Sequence, residues 1–180
     1  MGKGSDFERD ICKYLSKWYQ GTVKPYIWWR GRGSGAVFTV DTEVGESFAG
    51  DIYSIGNEGR WLTDKVVIEC KNGYPKYNIS KHLKNNKNDQ LLDFWAQVND
   101  DATKTNKYPI LIYKKKGQSP WVGINNDFNV LFHKHLTDLK FIVIHWTVNI
   151  GDIWIYDMNQ FFDNITPEII KGVFNKYKYK

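Results

Sequence analysis

VVIECKNGY, residues 66–74, combines an apolar run with two charged residues of opposite sign. Its first three residues, at 66–68, are β-branched and apolar, which predicts a buried strand. The strand then reaches Glu69 and Lys71, two positions apart. Because side chains alternate along a strand, these unlike charges lie on one face and Cys70 points to the other. Two charges on one face of a buried strand indicate either a local ion pair or a chemical site.

A second carboxylate is predicted to lie near that face. Asp51 opens a strand predicted over residues 51–55, GNEG at 56–59 supplies turn residues, and a second strand spans 65–71. We expect these strands to form an antiparallel hairpin that brings the carboxylates of Asp51 and Glu69 together. Two carboxylates in a partly dry site repel each other, and a hard cation such as Mg²⁺ relieves the repulsion.

Lys71 has two chemical roles open to it beside these acids. Its amine can orient or deprotonate an attacking water, or balance the charge of a phosphate. Metal-dependent phosphodiester hydrolysis needs such a set of groups. The alternative is a Glu69–Lys71 ion pair at a strand end, with Asp51 starting its own strand by chance.

Helix and strand patterns alternate along the rest of the chain. Residues 5–19 predict an amphipathic helix, because apolar residues recur at three- and four-residue steps. Further elements are predicted as helices over 89–102, 127–135 and from Thr166, and as strands over 25–29, 109–113, 121–124, 141–146 and 153–156. No repeat or linker interrupts the 180 residues, so we predict one α/β domain, residues 1–180.

Composition excludes several classes of protein. Apolar residues make up 42% of the chain, which argues against disorder. The longest mostly apolar stretch, residues 141–150, is too short to cross a bilayer, so no membrane partner is expected. No signal-peptide pattern opens the sequence, and two cysteines cannot form a disulfide framework. The expected location is the cytoplasm.

The positive charges are clustered, which favours a polyanionic partner. The net charge is +5, residues 71–88 hold five lysines and no acid, and Lys114–Lys116 form a second cluster. The alternative for each cluster is an ordinary solvated basic surface.

These motifs also resemble a known nuclease family. Gly50-Asp51 followed by Glu69-Cys70-Lys71 resembles the PD-(D/E)XK motif, with glycine in place of the proline. KGSDFER at 3–9 resembles the start of archaeal Holliday junction resolvases. Together with WRGRGSGA at 29–36, the set is similar to small nucleases of phage and prophage. The resemblance covers about residues 2–125.

The resemblance implies a restriction-endonuclease-like fold, a mixed central β-sheet flanked by helices. Residues 5–125 would form the nuclease core, and 126–180 a C-terminal elaboration of the same domain. Asp51 and Glu69 would be metal ligands together with the backbone carbonyl of Cys70, and Lys71 would be the catalytic lysine. Glu8 matches the first-helix glutamate that can lie at the metal site. Its alternative role is a capping box with Ser5.

Other residues would contact DNA. Ser34 lies in the loop that corresponds to the serine segment of the resolvases, so it is expected near the scissile phosphate, and Arg30 and Arg32 would bind the backbone. Gln97, in preference to Gln90, would lie near the site. Three lysines are further DNA-binding candidates: Lys3, Lys76 and Lys81.

The implied activity is that of a Mg²⁺-dependent DNA endonuclease, with Mn²⁺ able to substitute. Its implied substrate is branched DNA, cut by a two-fold dimer, because a symmetric junction needs two symmetric cuts. A phage or prophage protein of this kind would act in the host cytoplasm. Two alternatives stay open: a nuclease of the same fold for nicking, restriction or end processing, and a non-catalytic accessory protein for DNA binding or packaging.

Overall fold

The computed structural model describes residues 3–31, 49–73, 90–145 and 150–177. Helices and strands follow one another in the order α1 (Lys3–Gln20), β1 (Trp28–Arg30), β2 (Ile52–Ser54), α2 (Arg60–Thr63), β3 (Val66–Asn72), α3 (Gln90–Lys104), β4 (Tyr108–Lys114), β5 (Trp121–Ile124), α4 (Asn126–Leu136), β6 (Phe141–Ile144), β7 (Ile153–Asp157), α5 (Met158–Asn164) and α6 (Pro167–Lys176). None of the described helices is both long and apolar enough to cross a membrane.

The central sheet has five strands in the order β3-β4-β5-β7-β6. β3 and β4 run parallel, and the remaining neighbours are antiparallel. A parallel pair needs a crossover between its strands, and α3 lies in the connection from β3 to β4. This confirms the predicted α/β architecture, a mixed sheet flanked by helices.

Helices cover both faces of the sheet. Alternation along β3 places Ile68 and Cys70 in a core with α1, α4, α5 and α6. Val67 lies in the opposite core, which α3 covers. Because β3 is buried on both faces, its sequence is a continuous apolar run rather than an alternating one. Glu69, on the same face as Val67, therefore points towards α3.

The predicted hairpin between the strands at 51–55 and 65–71 is wrong. β2 pairs with β1 in a separate two-stranded sheet, while β3 pairs with β4. The turn residues lead into the short helix α2 instead of closing a hairpin. The Trp28 indole N–H donates to the Gly59 carbonyl at 3.1 Å and so ties the start of α2 to β1. Asp51 still reaches β3, because its N–H donates to the Ile68 carbonyl at 2.8 Å.

Residues after 125 extend the same sheet and cover one of its faces. β6 and β7 complete the sheet at the edge opposite β3. α6 begins as predicted, with Pro167 in the first turn and the Thr166 hydroxyl accepting from the Ile169 N–H. The Trp18 indole N–H donates to the Phe162 carbonyl at 2.9 Å, which ties α1 to α5.

Candidate active site

Asp51 is fixed at the edge of β3 that faces away from β4. Its N–H donates to the Ile68 carbonyl at 2.8 Å, and its carbonyl accepts from the Gly31 N–H at 3.0 Å. Its carboxylate oxygen Oδ2 accepts from the Cys70 N–H at 2.8 Å. These three hydrogen bonds set both the backbone and the side chain of Asp51 against the strand that carries Glu69 and Lys71.

Gly50 makes this close approach sterically allowed. Its φ is +89°, and a Cβ there would lie 2.7 Å from the Ile68 carbonyl oxygen and 2.9 Å from Val67 Cγ1. Proline, whose φ is fixed near −65°, cannot adopt that conformation. The glycine found in place of the motif's proline is therefore a requirement of this backbone.

Tyr53 holds the same segment from the other side, and sequence reasoning missed it. Its hydroxyl donates to the Gly50 carbonyl at 2.9 Å. Its ring lies against Gly31, where a Cβ would come within 2.0 Å of the ring carbon Cε2. The sequence carries no signal for the contact with Gly31, because Gly31 lies about twenty residues before Gly50 and Tyr53.

Glu69, Lys71 and Gln97 form a triangle of polar contacts. Lys71 Nζ contacts Glu69 Oε1. Gln97 Nε2 donates to the same oxygen at 3.0 Å, and Lys71 Nζ donates to Gln97 Oε1 at 3.2 Å. The ion pair considered from the sequence is present, and it forms part of a larger polar group. The structure thus brings Gln97 to the Glu69–Lys71 pair.

Glu8 faces this group from α1. Its oxygen Oε2 lies 3.4 Å from Arg30 Nε. The capping-box alternative for Glu8 is wrong, because α1 already includes Lys3 and Gly4, so Ser5 lies inside the helix rather than at its start. Burial raises the pKa of Glu8, and the nearby charge of Asp51 adds to this rise, while Arg30 and Lys71 oppose it.

The acids of the site have raised pKa values because they are buried together. Burial, with the Asp51 charge adding to it and Lys71 opposing it, raises the pKa of Glu69 to about 7. Burial also raises the pKa of Asp51, against the Cys70 N–H bond and the charges of Lys71 and Arg30. Lys71 therefore does not neutralise the site fully, and a divalent cation would stabilise both charged carboxylates.

The available donors fit a hard cation. Asp51 and Glu69 offer carboxylate oxygens. The Cys70 N–H donates to the Asp51 carboxylate, and the Cys70 carbonyl points to the same edge of the strand as that N–H. Across the described parts of the chain, no three side chains of His, Cys, Asp or Glu gather closely enough to hold a metal. A third protein ligand would therefore be of another kind, such as this carbonyl. Oxygen donors of this type suit Mg²⁺ and Mn²⁺.

Asp101 is a further acid that sequence reasoning missed. It lies one helical turn after Gln97 on α3, so both residues are on one face of the helix. Burial raises the pKa of Asp101, and its charge in turn raises those of Asp51 and Glu69. The four-residue spacing from Gln97 was the signal available in the sequence.

Some predicted DNA-binding residues cannot be placed. Arg32, Ser34, Lys76 and Lys81 lie outside the described residues, and of Lys3 only the backbone position in α1 is described. Arg30 is the one member of that set whose contacts are described, through its ion pair with Glu8.

Comparison with known proteins gives one match. The model of a family described as "Phage putative PDDEXK endonuclease" matches residues 1–172. Searches of curated proteins and of solved structures found no match. The matched range extends well past residue 125, so it takes in the strands and helices that the sequence motifs left unassigned.

Proposed function

The chain belongs to the "Phage putative PDDEXK endonuclease" family, and from this premise we propose that it cleaves DNA with a divalent cation held by Asp51, Glu69 and the Cys70 carbonyl. The observation that carries the proposal is the approach of Asp51 to the edge of β3. Its carboxylate accepts the Cys70 N–H there, beside the Glu69–Lys71 contact. Mg²⁺ is the proposed ion, and Mn²⁺ would substitute for it.

The side chains of the site would divide the work of hydrolysis. When bound, the cation supplies positive charge that stabilises the phosphodiester as negative charge develops on it. Lys71 Nζ, held by Glu69 and Gln97, would orient the attacking water or donate to a phosphate oxygen. Glu8 would hold Arg30 at the site's margin, where its guanidinium can bind the DNA backbone.

We further propose branched DNA as the substrate and a two-fold dimer as the active form. The branched-DNA proposal is supported by the KGSDFER segment at 3–9 in α1, which resembles the first helix of junction resolvases. A symmetric junction needs two active sites related by a two-fold axis. Cleavage of other DNA forms is the second candidate, since the same site could hydrolyse any phosphodiester.

We also propose that residues 1–180 form one nuclease domain that acts in the host cytoplasm.

The experiment is cleavage of three end-labelled DNAs: a four-way junction, a linear duplex and a single strand. Wild-type protein is compared with Lys71→Ala and with Lys17→Ala, an exposed lysine in the last turn of α1. Cleavage is expected with Mg²⁺ and not with EDTA, and only Lys71→Ala should lose it, by at least about a hundredfold. Cutting that survives Lys71→Ala would refute the assignment of Lys71.

The pattern among the three DNAs tests the finer proposal. Symmetric cuts confined to the junction support the resolvase. Equal cutting of all three DNAs would support the nuclease assignment and contradict the proposed preference for junctions. Tight binding without any cutting supports a non-catalytic accessory protein instead.

A further inference from the structure

Three consecutive lysines stand at the turn between β4 and β5. Lys114 ends β4, and Lys115 and Lys116 follow it. We call residues 114–117 the basic turn. The Gln118 N–H donates to the Lys115 carbonyl at 3.0 Å, and Gly117 has a φ of +78°, which glycine adopts without strain. The turn is thus a tight, hydrogen-bonded projection that carries a charge at each of three successive positions.

Strand register places this turn beside the candidate active site. β3 and β4 are parallel, with Lys71 opposite Tyr113 and Asn72 opposite Lys114. The Gly73 N–H donates to the Lys114 carbonyl at 3.1 Å, so the two strands stay paired to their ends. Neighbouring strands lie about 4.8 Å apart and rise about 3.3 Å per residue. The basic turn therefore begins one residue past the level of Lys71, on the adjacent strand.

The basic turn and Asp51 flank β3 on opposite sides. Asp51 lies against the edge of β3 that faces away from β4, with Arg30 on β1 beyond it. β4 lies on the other side of β3. A line across this end of the sheet thus passes from Arg30 through the acids and Lys71 to the basic turn. Positive charge lies on both sides of the proposed scissile position.

The lysines of the turn are available to a ligand. Lys116 is exposed, and Lys114 and Lys115 are half-buried. Residues 102–126 contain five lysines and no acid. Over the residues that the structure covers, none of the three turn lysines forms an ion pair. Asp157, the acid opposite Trp121 at this end of the sheet, accepts from the Asn159 and Gln160 N–H groups as the cap of α5.

We propose that the basic turn binds backbone phosphates of the DNA strand on one side of the scissile phosphate. The proposal rests on the proposed function, and adds to it the path of the strand across the end of the sheet. Lysine ammonium groups bind phosphates without reading sequence. The turn lies beyond the acids rather than among them, so it holds the substrate and does not touch the reacting atoms.

The test compares two triple variants that remove the same charge. One is Lys114→Gln, Lys115→Gln and Lys116→Gln. The control is Lys17→Gln, Lys24→Gln and Lys176→Gln, three exposed lysines away from the end of the sheet that carries Lys71. Either set lowers the net charge from +5 by three. Binding to a fluorescein-labelled linear duplex is measured by anisotropy, in EDTA, across a range of salt concentrations.

The basic-turn variant should bind about tenfold or more weakly near 0.1 M salt. Affinity should also depend less steeply on salt. The slope of log affinity against log salt is negative, and its magnitude should decrease by about two to three, because each phosphate contact contributes about 0.9 to it. The control should keep the wild-type slope. Equal slopes for the two variants would overturn the proposal. If the triple variant does not fold, Lys116→Gln alone should reduce the magnitude of this slope by about one. An unchanged slope in Lys116→Gln would then overturn the proposal.

Cleavage kinetics separate this proposal from the proposed function. With Mg²⁺, the basic-turn variant should raise KM about tenfold and leave kcat within about twofold of wild type. A loss of kcat at unchanged KM would overturn the proposal. If the wild-type protein cuts no DNA, the proposed function fails, and the binding slopes still decide whether the turn holds phosphates.

Discussion

At the residue scale, the site depends on how Asp51 is held. The segment from Gly50 to Asp51 is not part of a strand, yet hydrogen bonds to Ile68, Cys70 and Gly31 fix it. The spacing of Asp51, Glu69 and Lys71 could be read from the sequence. The contact of the Tyr53 ring with Gly31 could not, because these residues come together only in the folded chain.

Gly50→Ala should destabilise the protein by about 2–3 kcal/mol, because a Cβ would strain the positive φ and collide with the Ile68 carbonyl. Gly56→Ala is the matched control: its φ is +74° and no atom lies within 4 Å of the added Cβ. Urea unfolding should show a clearly larger loss for Gly50→Ala, and cleavage should fall with it. Equal losses in the two variants would mean that close contact with β3 is unimportant.

Glu69→Gln should stabilise the metal-free protein at alkaline pH. In the folded protein the pKa of Glu69 is raised to about 7 from its ordinary value of 4.5, so the folded state loses stability as pH rises from about 4.5 to about 7. Glutamine carries no charge and can still accept from Lys71 and Gln97. At pH 8 the variant should be more stable by about 1–3 kcal/mol, and near pH 4.5 the difference should vanish.

Urea unfolding in EDTA at the two pH values measures this effect, with Glu58→Gln, an exposed site, as the control. A wild-type protein that gains stability relative to Glu69→Gln as pH rises would contradict the raised pKa. Nuclease activity should be lost in Glu69→Gln at every pH, so stability and function move in opposite directions.

At the level of helices and strands, the pairing of β2 could not be predicted from the sequence. The predicted helices and strands fall close to their observed positions, since hydrophobic periodicity is local, but the short helices α2 and α5 were not predicted. β2 pairs with β1 instead, and the hydrogen bond from the Trp28 indole to the Gly59 carbonyl joins residues 31 apart in the chain, which no local pattern encodes. Asp51 nevertheless lies beside the strand that carries Glu69. One backbone hydrogen bond, from the Asp51 N–H to the Ile68 carbonyl, holds it there in place of the paired strands of the predicted hairpin.

Asp101→Asn should shift the acidic limb of the pH–rate profile to lower pH. Its carboxylate lies on the Gln97 face of α3 and raises the pKa values of Asp51 and Glu69, so its removal lets both acids ionise at lower pH. A shift of some tenths of a pH unit is expected. Asp100→Asn is the control, because Asp100 is exposed and paired with Lys104. Profiles that coincide for wild type and Asp101→Asn would contradict the coupling.

At the scale of the whole molecule, the C-terminal third completes the sheet and supports α1. Composition and alternating patterns sufficed to predict an α/β domain, but the order of five strands depends on contacts between distant segments. Lys171 on α6 illustrates such a contact. Its Nζ lies 4.5 Å from the centre of the Tyr19 ring and 4.8 Å from that of Trp61, which joins the last helix to α1 and α2.

Lys171→Met should lower stability by about 1 kcal/mol, because it removes these cation–π contacts and the hydrogen bond to the Tyr19 hydroxyl. The expected fall in Tm is about 2–4 °C for a chain of this size. Lys134→Met, at an exposed position of α4, should leave Tm unchanged. Cleavage at low temperature should be the same in all three proteins, since Lys171 lies away from the acids of the site.

We propose that Asp51 and Glu69 hold one divalent cation at the edge of β3. Calorimetric titration of Mn²⁺ into metal-free wild-type protein, Asp51→Asn, Glu69→Gln and the exposed control Asp10→Asn tests it most directly. Saturable binding is expected for wild type and Asp10→Asn, and its loss is expected in the other two variants. Wild-type affinity in Asp51→Asn or in Glu69→Gln would contradict it.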